Sequence, residues 1–272
     1  MKTPHVFLMC PPEYFDVSYI INPWMHGNVR KIDNALAKQQ WRALYDVLTD
    51  HATVRLVHPQ PGSPDMVFTA NAGLVKGRRF LVSRFRYPER QYEEPYFADW
   101  FLDRGYEVSL MPRHVPFEGA GDALYDRGAR RLWLAYGHRS VLAARDVIAG
   151  RLRGEVTVLK LTDQRFYHLD TCFCPLDGGH LLYYPPAFDA ASRSAIEERV
   201  PAARRIAVGE EDALAFACNA VSLGSRIVVN RATTAFVDAL GRRGFEVVQT
   251  PLSEFMKAGG SAKCLTLRLD ER

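Results

Sequence analysis

The chain is poor in the features that mark several large classes of protein. Its 272 residues include five cysteines, an odd number at irregular spacing, which favours small core residues over a disulfide framework or a zinc module. The apolar stretch near the N-terminus is only a few residues long and ends at Pro11 and Pro12. Because this stretch is too short for a signal peptide or a membrane span, we expect a cytoplasmic protein that does not bind membranes.

The chain also has only a small excess of positive over negative charge. Lys and Arg total 35 against 31 Asp and Glu, a formal net charge of +4, and the basic residues are scattered along the chain. A weak and dispersed positive charge gives little support to nucleic-acid binding. The sequence also has no glycine-rich phosphate loop and no metal-ligand spacing, so it implies neither a cofactor nor a metal.

What the sequence does have is an ordinary globular composition and a long internal repeat. Hydrophobic residues make up 47% of the chain, ample material for a buried core. The order strand, strand, helix, strand recurs with a period of roughly 50 residues, which is typical of a propeller or another closed array. The copies are predicted at residues 67–110, 123–159, 166–208 and 217–249.

The two ends of the chain supply the parts of a fifth copy. A strand at residues 6–9, a helix at 32–48 and a strand at 54–57 lie at the start, and residues 262–269 lie at the end. Pairing of the N- and C-terminal segments in one module would close the array and hide its edge strands. No linker rich in Pro, Gly or Ser interrupts the repeat, so we expect one domain over residues 1–272. The alternative is an ordinary α/β sheet with chance regularity.

The segment at residues 166–174, F-Y-H-L-D-T-C-F-C, carries the most conspicuous polar pair. Apolar and aromatic residues alternate around His168 and Asp170, which predicts an extended strand. Residues two apart on a strand share one face, so both side chains can reach one bound molecule. The alternative is a core histidine next to a solvated aspartate.

Unusual polar residues fall in or beside the first strand of each module. In a closed radial array these strand ends converge on the axis, so side chains far apart in the sequence meet in one cavity. A cysteine with a distant histidine and acids is the general pattern of a thiol nucleophile. The residues are Asp65, Asn71, Glu118, Asp122, His168, Asp170, Asn219 and Cys264.

Three motifs in this order resemble the guanidine-modifying enzymes. They are F-E-G-A-G-D at residues 117–122, H-L-D-T at residues 168–171 and the C-terminal Cys264. That superfamily includes arginine deiminases, dimethylarginine dimethylaminohydrolases, amidinotransferases and succinylarginine dihydrolases, and the resemblance covers essentially the whole chain. It implies an α/β fold, a five-bladed propeller with pseudo-fivefold symmetry, and thiol-dependent hydrolysis of a small guanidino substrate.

The resemblance also implies roles for individual residues. Cys264 matches the nucleophile that attacks the guanidinium carbon, His168 the general acid and base, and Glu118 the carboxylate that orients the histidine. The substrate-binding candidates are Asp170 for the guanidinium nitrogens, Arg139 for the substrate α-carboxylate, and Arg90 by a looser match. Asp65, which the repeat places at the cavity, is a further substrate-binding candidate.

Two segments favour one subgroup of the superfamily. Deiminases and dimethylargininases carry an aspartate in a segment of the type F-T-x-D, whereas residues 68–71 here read F-T-A-N, with Asn71 at that position. The opening segment at residues 11–25 resembles the arginine dihydrolases, in which an asparagine matching Asn22 lies beside the reactive end of the substrate.

We therefore expect an arginine dihydrolase, which converts arginine to ornithine, carbon dioxide and two ammonia molecules. One alternative is a deiminase-like or dimethylargininase-like hydrolase that stops after one amine and gives citrulline. The other is a non-catalytic propeller that binds arginine-like ligands or a protein.

Overall fold

The structure, a computed structural model, describes residues 5–152 and 154–271. These residues form five sheets of three strands each. The strands are β1 (His5–Met9), β2 (Ala52–Leu56), β3 (Gly73–Lys76), β4 (Arg79–Val82), β5 (Glu107–Leu110), β6 (Ala123–Asp126), β7 (Arg131–Tyr136), β8 (Val156–Lys160), β9 (Phe173–Pro175), β10 (Leu181–Tyr183), β11 (Arg205–Ala207), β12 (Val221–Leu223), β13 (Arg226–Val229), β14 (Glu246–Gln249) and β15 (Leu267–Arg268).

The repeat predicted from the sequence is present in every sheet. Each sheet joins one antiparallel pair to one parallel pair, and a helix connects the two parallel strands. The helices are α1 (Asn34–Thr49), α2 (Pro88–Gln91), α3 (Glu93–Leu102), α4 (Ala144–Leu152), α5 (Ala190–Arg199), α6 (Glu210–Leu214), α7 (Thr234–Gly241) and α8 (Ser253–Met256). Among the described residues, no helix is both long and apolar enough to cross a membrane.

Both ends of the described chain enter the same sheet. Strand β1 lies in the middle, antiparallel to β15 with Phe7 opposite Arg268, and parallel to β2 with His5 opposite Ala52. The predicted pairing of the N- and C-terminal segments is therefore confirmed. The predicted domain, residues 1–272, includes residues 1–4, 153 and 272, which lie outside the described residues, and the single-domain assignment stays a prediction.

Helix α1 illustrates how the sequence forms these elements. The Asp33 carboxylate accepts hydrogen bonds from the amides of Ala35 and Leu36, both at 3.0 Å, and so caps the helix N-terminus. Its apolar residues recur with helical spacing, and Trp41, Leu44 and Leu48 are all buried.

Neighbouring sheets also pack on each other through large aromatic rings. Trp133 of β7 meets Phe173 of β9 edge to face at a centroid distance of 5.3 Å.

The first strands of three internal sheets begin later than the sequence predicted, at Gly73, Phe173 and Val221, whereas β6 begins at Ala123 as predicted. Short 3-10 helices come before β3, β6 and β9, at Thr69–Ala72, Gly119–Gly121 and Leu169–Thr171. The predicted strand over residues 166–174 is therefore wrong, since β9 covers only Phe173–Pro175.

Local hydrogen bonds explain this difference. The Thr171 hydroxyl donates to the His168 carbonyl at 2.7 Å, and the Cys172 amide donates to the Leu169 carbonyl at 3.1 Å, which curls the backbone. The two-residue alternation in this segment does not reflect a sheet face, because its residues are buried on all sides. As a result, His168 precedes the 3-10 helix and Asp170 lies inside it, and the two are not neighbours on one face of a strand.

Candidate active site

The polar residues that the repeat predicted to converge do contact one another. Asn71, Glu118 and Asp170 lie in or directly before the three 3-10 helices that precede β3, β6 and β9. Gly121 permits the closest approach. A Cβ atom at this position would lie 2.3 Å from Asn71 Nδ2 and 3.4 Å from His168 Cγ. Any larger residue would therefore separate the Asn71 amide from the His168 ring.

His168, Glu118 and Arg139 form one side of the site. His168 Nε2 lies 2.7 Å from Glu118 Oε2, and the same oxygen accepts a hydrogen bond from Arg139 Nη1 at 2.8 Å. Burial alone would raise the pKa of the Glu118 carboxyl, but Arg139 and His168 outweigh burial and hold this pKa well below its usual range. Glu118 is therefore an ionised carboxylate that orients the imidazole.

Cys264, Asn219 and Asp170 form the other side of the site. Asn219 fixes the cysteine at two points, because its Nδ2 lies 3.1 Å from Sγ and its Oδ1 accepts from the Cys264 amide at 3.1 Å. The thiol lies 3.5 Å from Asp170 Oδ2. Burial and the neighbouring Asp170 raise the pKa of the Cys264 thiol far above its usual range. Burial also raises the pKa of Asp170 to about 7, against the opposing effects of Lys263, Cys264 and Asn219.

A cation lies behind this second side. Lys263 Nζ lies 3.5 Å from the Ala120 carbonyl and 3.4 Å from the Thr266 carbonyl, and none of the ion pairs between described residues includes it. Its side chain lines a separate cavity of about 50 Å³ between the first strands of the sheets. The positive charge acts on both Asp170 and Cys264, lowering the pKa of each against the effect of burial.

Arg90 is buried in a dense set of acceptors. Its guanidinium makes two hydrogen bonds of 2.8 Å to the Glu93 carboxylate, and Nη1 donates to Asn71 Oδ1 at 2.9 Å. Nη2 also donates to the Asp65 carbonyl at 3.1 Å. The oxygen of the Asn71 amide is therefore occupied, while its nitrogen has only a long contact of 3.5 Å to the Glu118 carbonyl.

Asp65 is a buried carboxylate with one free oxygen. Oδ2 accepts from the Tyr19 hydroxyl at 2.9 Å, whereas Oδ1 has no hydrogen-bond partner among the described residues. Burial raises the pKa of this carboxyl, and Arg90 and Tyr19 oppose that effect. Because a buried acceptor without a partner is costly, this oxygen is suited to receive a donor from a bound molecule.

Asn22 lies at the boundary between the inner cavity of the site and the space outside it. Its Oδ1 accepts from the amides of Trp24 and Met25 at 2.9 and 3.3 Å, which caps the 3-10 helix Pro23–Met25, and its Nδ2 donates to the Ala258 carbonyl at 3.0 Å. Both polar atoms of its side chain therefore contact protein groups.

Arg139 and Tyr167 complete the wall beside Asn22. The Arg139 guanidinium lies between the rings of Tyr87 and Tyr167, at 4.9 and 4.6 Å from their centroids, and its Nη2 donates to the Ile21 carbonyl at 2.9 Å. Arg139 is thus held by protein groups on every side, including Glu118.

These residues divide the site into an inner and an outer space. The inner cavity measures about 10 Å³, and a vestibule of about 340 Å³ lies outside it. Ile21, Asn22, Arg139 and Tyr167 line both spaces and therefore form the wall between them. About 10 Å³ holds one water molecule at most, so a ligand of amino-acid size enters only if this wall opens. The inner cavity is lined by Ile21, Asn22, Met25, Asp65, Phe68, Asn71, Arg90, Arg139, Tyr167, Ala258, Gly260 and Cys264.

The structure brings together all nine residues that the sequence proposed for the site. Six of them line the inner cavity. Glu118 and Asp170 contact the lining residues Arg139 and Cys264, and the centroid of the His168 ring lies 4.8 Å from that of Tyr167. Sequence reasoning missed the roles of Asn219 and Tyr167. Asn219 was recognised as a polar residue at an equivalent repeat position, and that position relative to Cys264 is the signal that predicts its contact.

This arrangement is suited to covalent acid–base chemistry. It holds a buried thiol, an imidazole oriented by a carboxylate, and acceptors placed around a small cavity. Across residues 5–152 and 154–271, no group of three or more His, Cys, Asp and Glu side chains is arranged to hold a metal ion.

Comparison with known proteins agrees with this geometry. The family model described as N,N dimethylarginine dimethylhydrolase, eukaryotic, matches residues 20–270. AgrE of Nostoc sp., a bifunctional arginine dihydrolase/ornithine cyclodeaminase, is 56% identical over 265 residues, which is 97% of this chain and 38% of AgrE. The chain thus spans less than two fifths of the length of that relative.

Two other proteins are similar over nearly the whole chain. The N-terminal domain of ArgZ, whose full-length form occurs in Synechocystis sp., is known as a variant with one asparagine replaced by serine, covalently bound to a reaction intermediate. It is 54% identical with a TM-score of 0.97, over 98% of each chain. The dimethylarginine dimethylaminohydrolase of Mycobacterium tuberculosis is 41% identical over 271 residues, 98% of this chain and 87% of that protein. The chain therefore belongs to the dimethylarginine dimethylhydrolase family of guanidine-modifying enzymes, as its motifs predicted.

Proposed function

We propose that this chain is an arginine dihydrolase, which hydrolyses the guanidino group of arginine twice through a covalent intermediate on Cys264. The observation that carries the proposal is Asn71, an amide at the wall of the inner cavity where a deiminase would carry a carboxylate. Its oxygen is held by Arg90 and its nitrogen is nearly free. The similarity to AgrE and ArgZ supports the same conclusion.

Binding comes first in the proposed mechanism. Asp170 receives the guanidinium nitrogens, and paired carboxylate oxygens match the planar guanidinium fork. The α-ammonium donates to the free Oδ1 of Asp65. The α-carboxylate binds Arg139, whose Nη2 exchanges the Ile21 carbonyl for the substrate, and Arg90, which contacts the Asp65 carbonyl, lies beside the α-ammonium.

The substrate supplies the charge that activates the nucleophile. A buried thiol beside Asp170 is protonated at neutral pH, because burial and the carboxylate both raise its pKa. A guanidinium bound against Asp170 is a neighbouring cation and favours the thiolate. His168 takes the thiol proton, and the thiolate attacks the guanidinium carbon to give a tetrahedral species. His168 then donates that proton to the departing nitrogen, ammonia leaves, and an amidino thioester on Cys264 remains.

Hydrolysis then proceeds in two rounds. His168 takes a proton from water, the hydroxide attacks the thioester carbon, and the Cys264 thiolate leaves to give a neutral ureido group, which is citrulline. A second attack by Cys264 expels the second ammonia and forms a thiocarbamate. Water releases this group as a carbamate, which loses carbon dioxide. The sum is arginine plus two water molecules giving ornithine, carbon dioxide and two ammonia molecules.

We propose further that the five sheets are the blades of a pseudo-fivefold α/β propeller, closed by the sheet that contains β1 and β15. The equivalent turns before the first strands then surround one axis, which accounts for the meeting of Asn71, Glu118, Asp170, Asn219 and Cys264. We expect a small-molecule substrate and a cytoplasmic location, as predicted from the sequence.

Product analysis tests the function directly. The purified chain is incubated with arginine, and ammonia, citrulline and ornithine are measured against arginine consumed. We expect about two ammonia molecules and one ornithine per arginine, as the two-round stoichiometry requires. Citrulline as the only product would reject the dihydrolase assignment.

The second candidate function is a dimethylargininase-like hydrolase. It is favoured by the family model and by the similarity to the M. tuberculosis protein. Incubation with dimethylarginine, with dimethylamine as the measured product, separates it from the first. A kcat/KM for dimethylarginine above that for arginine would replace our assignment with this one.

A further inference from the structure

Asp122 is a buried carboxylate that takes no part in the proposed reaction, yet it accepts three hydrogen bonds. Oδ1 accepts from the Leu169 amide at 3.1 Å. Oδ2 accepts from the Ser140 hydroxyl at 2.6 Å and from the Ser140 amide at 3.3 Å. Only 1% of the residue is exposed, and it is absent from the lining of the inner cavity.

The Ser140 hydroxyl extends this contact to the catalytic carboxylate. Its oxygen accepts a hydrogen bond from the Glu118 amide at 3.0 Å. A continuous chain of hydrogen bonds thus runs from the backbone of Glu118 through Ser140 and Asp122 to the amide of Leu169, the residue after His168. Glu118 and His168 come before the first strands of different sheets, and their side chains meet at 2.7 Å.

We propose that Asp122 is the positioning residue of the acid–base pair, which holds the backbones of Glu118 and His168 at the separation at which the imidazole and the carboxylate meet. The inference rests on the proposed function, because it requires His168 to move protons in that reaction. A displacement of about 1 Å in a catalytic group can cost on the order of 10²-fold in rate, so a second tie between the two backbones matters.

A carboxylate is needed at this position for a physical reason. Three donors converge on it, and an ionised carboxylate has two acceptor oxygens and no hydrogen. An asparagine amide has one acceptor oxygen, and its NH₂ group would face either the Leu169 amide or the Ser140 amide. Burial raises the pKa of Asp122 to about 6, opposed by His168 and Ser140, so the group is largely ionised at neutral pH.

The test compares Asp122→Asn with Asp126→Asn. Asp122 comes directly before β6 and Asp126 is the last residue of that strand. The Asp126 carboxylate also accepts from backbone amides, those of Gly128 and Ala129 at 3.1 and 3.2 Å. Both variants therefore lose a carboxylate that holds backbone. We expect Asp122→Asn to lower kcat by about 10- to 100-fold with KM for arginine nearly unchanged. This is the usual effect of removing a residue that positions a catalytic group but does not touch the substrate. Asp126→Asn should keep the parent kcat even where thermal stability falls.

Ser140→Ala provides the second arm and keeps the test valid if Asp122→Asn fails to fold. It should also lower kcat rather than raise KM. The double variant should be no slower than Asp122→Asn alone, because both residues act in one chain. Rates are expressed per folded molecule, counted from the amplitude of the thermal unfolding transition, so that misfolded protein is not scored as slow enzyme.

Two outcomes would overturn the proposal. One is a kcat for Asp122→Asn or Ser140→Ala equal to that of Asp126→Asn, and the other is an effect confined to KM. The test is separable from that of the function. A parent that stops at citrulline rejects the dihydrolase assignment, while the kcat comparison still measures the role of Asp122 in the first round.

Discussion

The two sides of the candidate site are built from opposite electrostatics. On the imidazole side, Glu118 lies between His168 and Arg139, and these charges hold the pKa of its carboxyl well below its usual range. On the thiol side, Cys264 and Asp170 share a buried space without an ion pair, and burial raises the pKa of both groups. The first side is complete before a ligand binds, whereas on the second side Lys263 acts only from behind and, among the described residues, forms no ion pair with Asp170.

This difference identifies what the substrate contributes. In the proposed mechanism, a guanidinium bound against Asp170 places a positive charge directly beside the Cys264 thiol. A neutral analogue of arginine leaves the thiol side uncompensated, although the imidazole side is unchanged. The comparison therefore predicts that the two sides respond differently to substitution.

Removal of the thiol breaks the second side altogether and has the largest expected effect. Cys264→Ser should lower turnover by at least ~10⁴-fold, because a hydroxyl without a dedicated base is a poor nucleophile and loss of a nucleophile costs several orders of magnitude. Arginine should still bind, since Asp170 and Asp65 remain. Turnover and calorimetric binding are measured in parallel, with the buried Cys218→Ser as control. Substantial activity in Cys264→Ser together with a requirement for Cys218 or Cys172 would contradict the assignment.

Removal of the imidazole breaks the first side while leaving the thiol in place. His168→Ala should lose at least ~10²-fold in rate, the usual contribution of a general acid–base residue. The control is His180→Ala, because His180 packs on Phe245 at a centroid distance of 5.2 Å and has no contact with the site. A near-normal rate for His168→Ala would mean that another group handles the proton.

The sequence predicted most of this site because the repeat and the chemistry agree. The polar residue before the first strand recurs in each module, so Asn71, Glu118, Asp170 and Cys264 were predicted to meet without any knowledge of the structure. The family motifs then assigned their roles, and those roles stay predictions. Hydrophobic periodicity, repeated from module to module, likewise predicts the order of strands and helices.

Sequence patterns do not predict other features, because tertiary contacts determine them. The alternation over residues 166–174 predicts a strand, but the Thr171 hydroxyl bonds to the His168 carbonyl and a 3-10 helix forms. The placement of Arg139 between two tyrosine rings depends on residues from separate modules. Nothing in the sequence next to Lys263 indicates that its charge lies behind Asp170.

Asn71 lies between the two sides, and its substitution should change the products more than the rate. Asn71→Asp keeps size and acceptor capacity but loses the donor, and a second carboxylate should bind the cationic guanidinium at least as well. The neutral ureido intermediate would then meet an acceptor-only group, so citrulline should escape. We expect about one ammonia and one citrulline per arginine, against two ammonia and one ornithine in the parent. Assay of both proteins side by side decides this, and ornithine from the variant would remove Asn71 from the second round.

The smallest predicted effect concerns the cation behind the thiol side. In the proposed mechanism Asp170 binds the guanidinium as a carboxylate. Burial raises its pKa to about 7, so kcat/KM should fall as the pH is lowered through about 7. Lys263 opposes burial and is the one positive charge that lowers this pKa, while Cys264 and Asn219 assist by hydrogen bonding. Lys263→Gln keeps a donor for the carbonyls of Ala120 and Thr266 but removes the charge.

Loss of that charge should raise the pKa of Asp170 further, which moves the acidic limb of the kcat/KM profile to higher pH by about one unit. Cys264, Tyr167 and Cys172 also interact with Asp170, and burial raises the pKa of all three, but a thiol or a phenol is neutral or anionic and supplies no compensating cation. Lys263→Arg should keep the parent profile, and at high pH Lys263→Gln should approach the parent rate because Asp170 is ionised in both. Profiles measured from pH 5 to 9 test this. If the limb of Lys263→Gln coincides with that of Lys263→Arg, Lys263 does not set the ionisation of Asp170, and the guanidinium alone completes the thiol side.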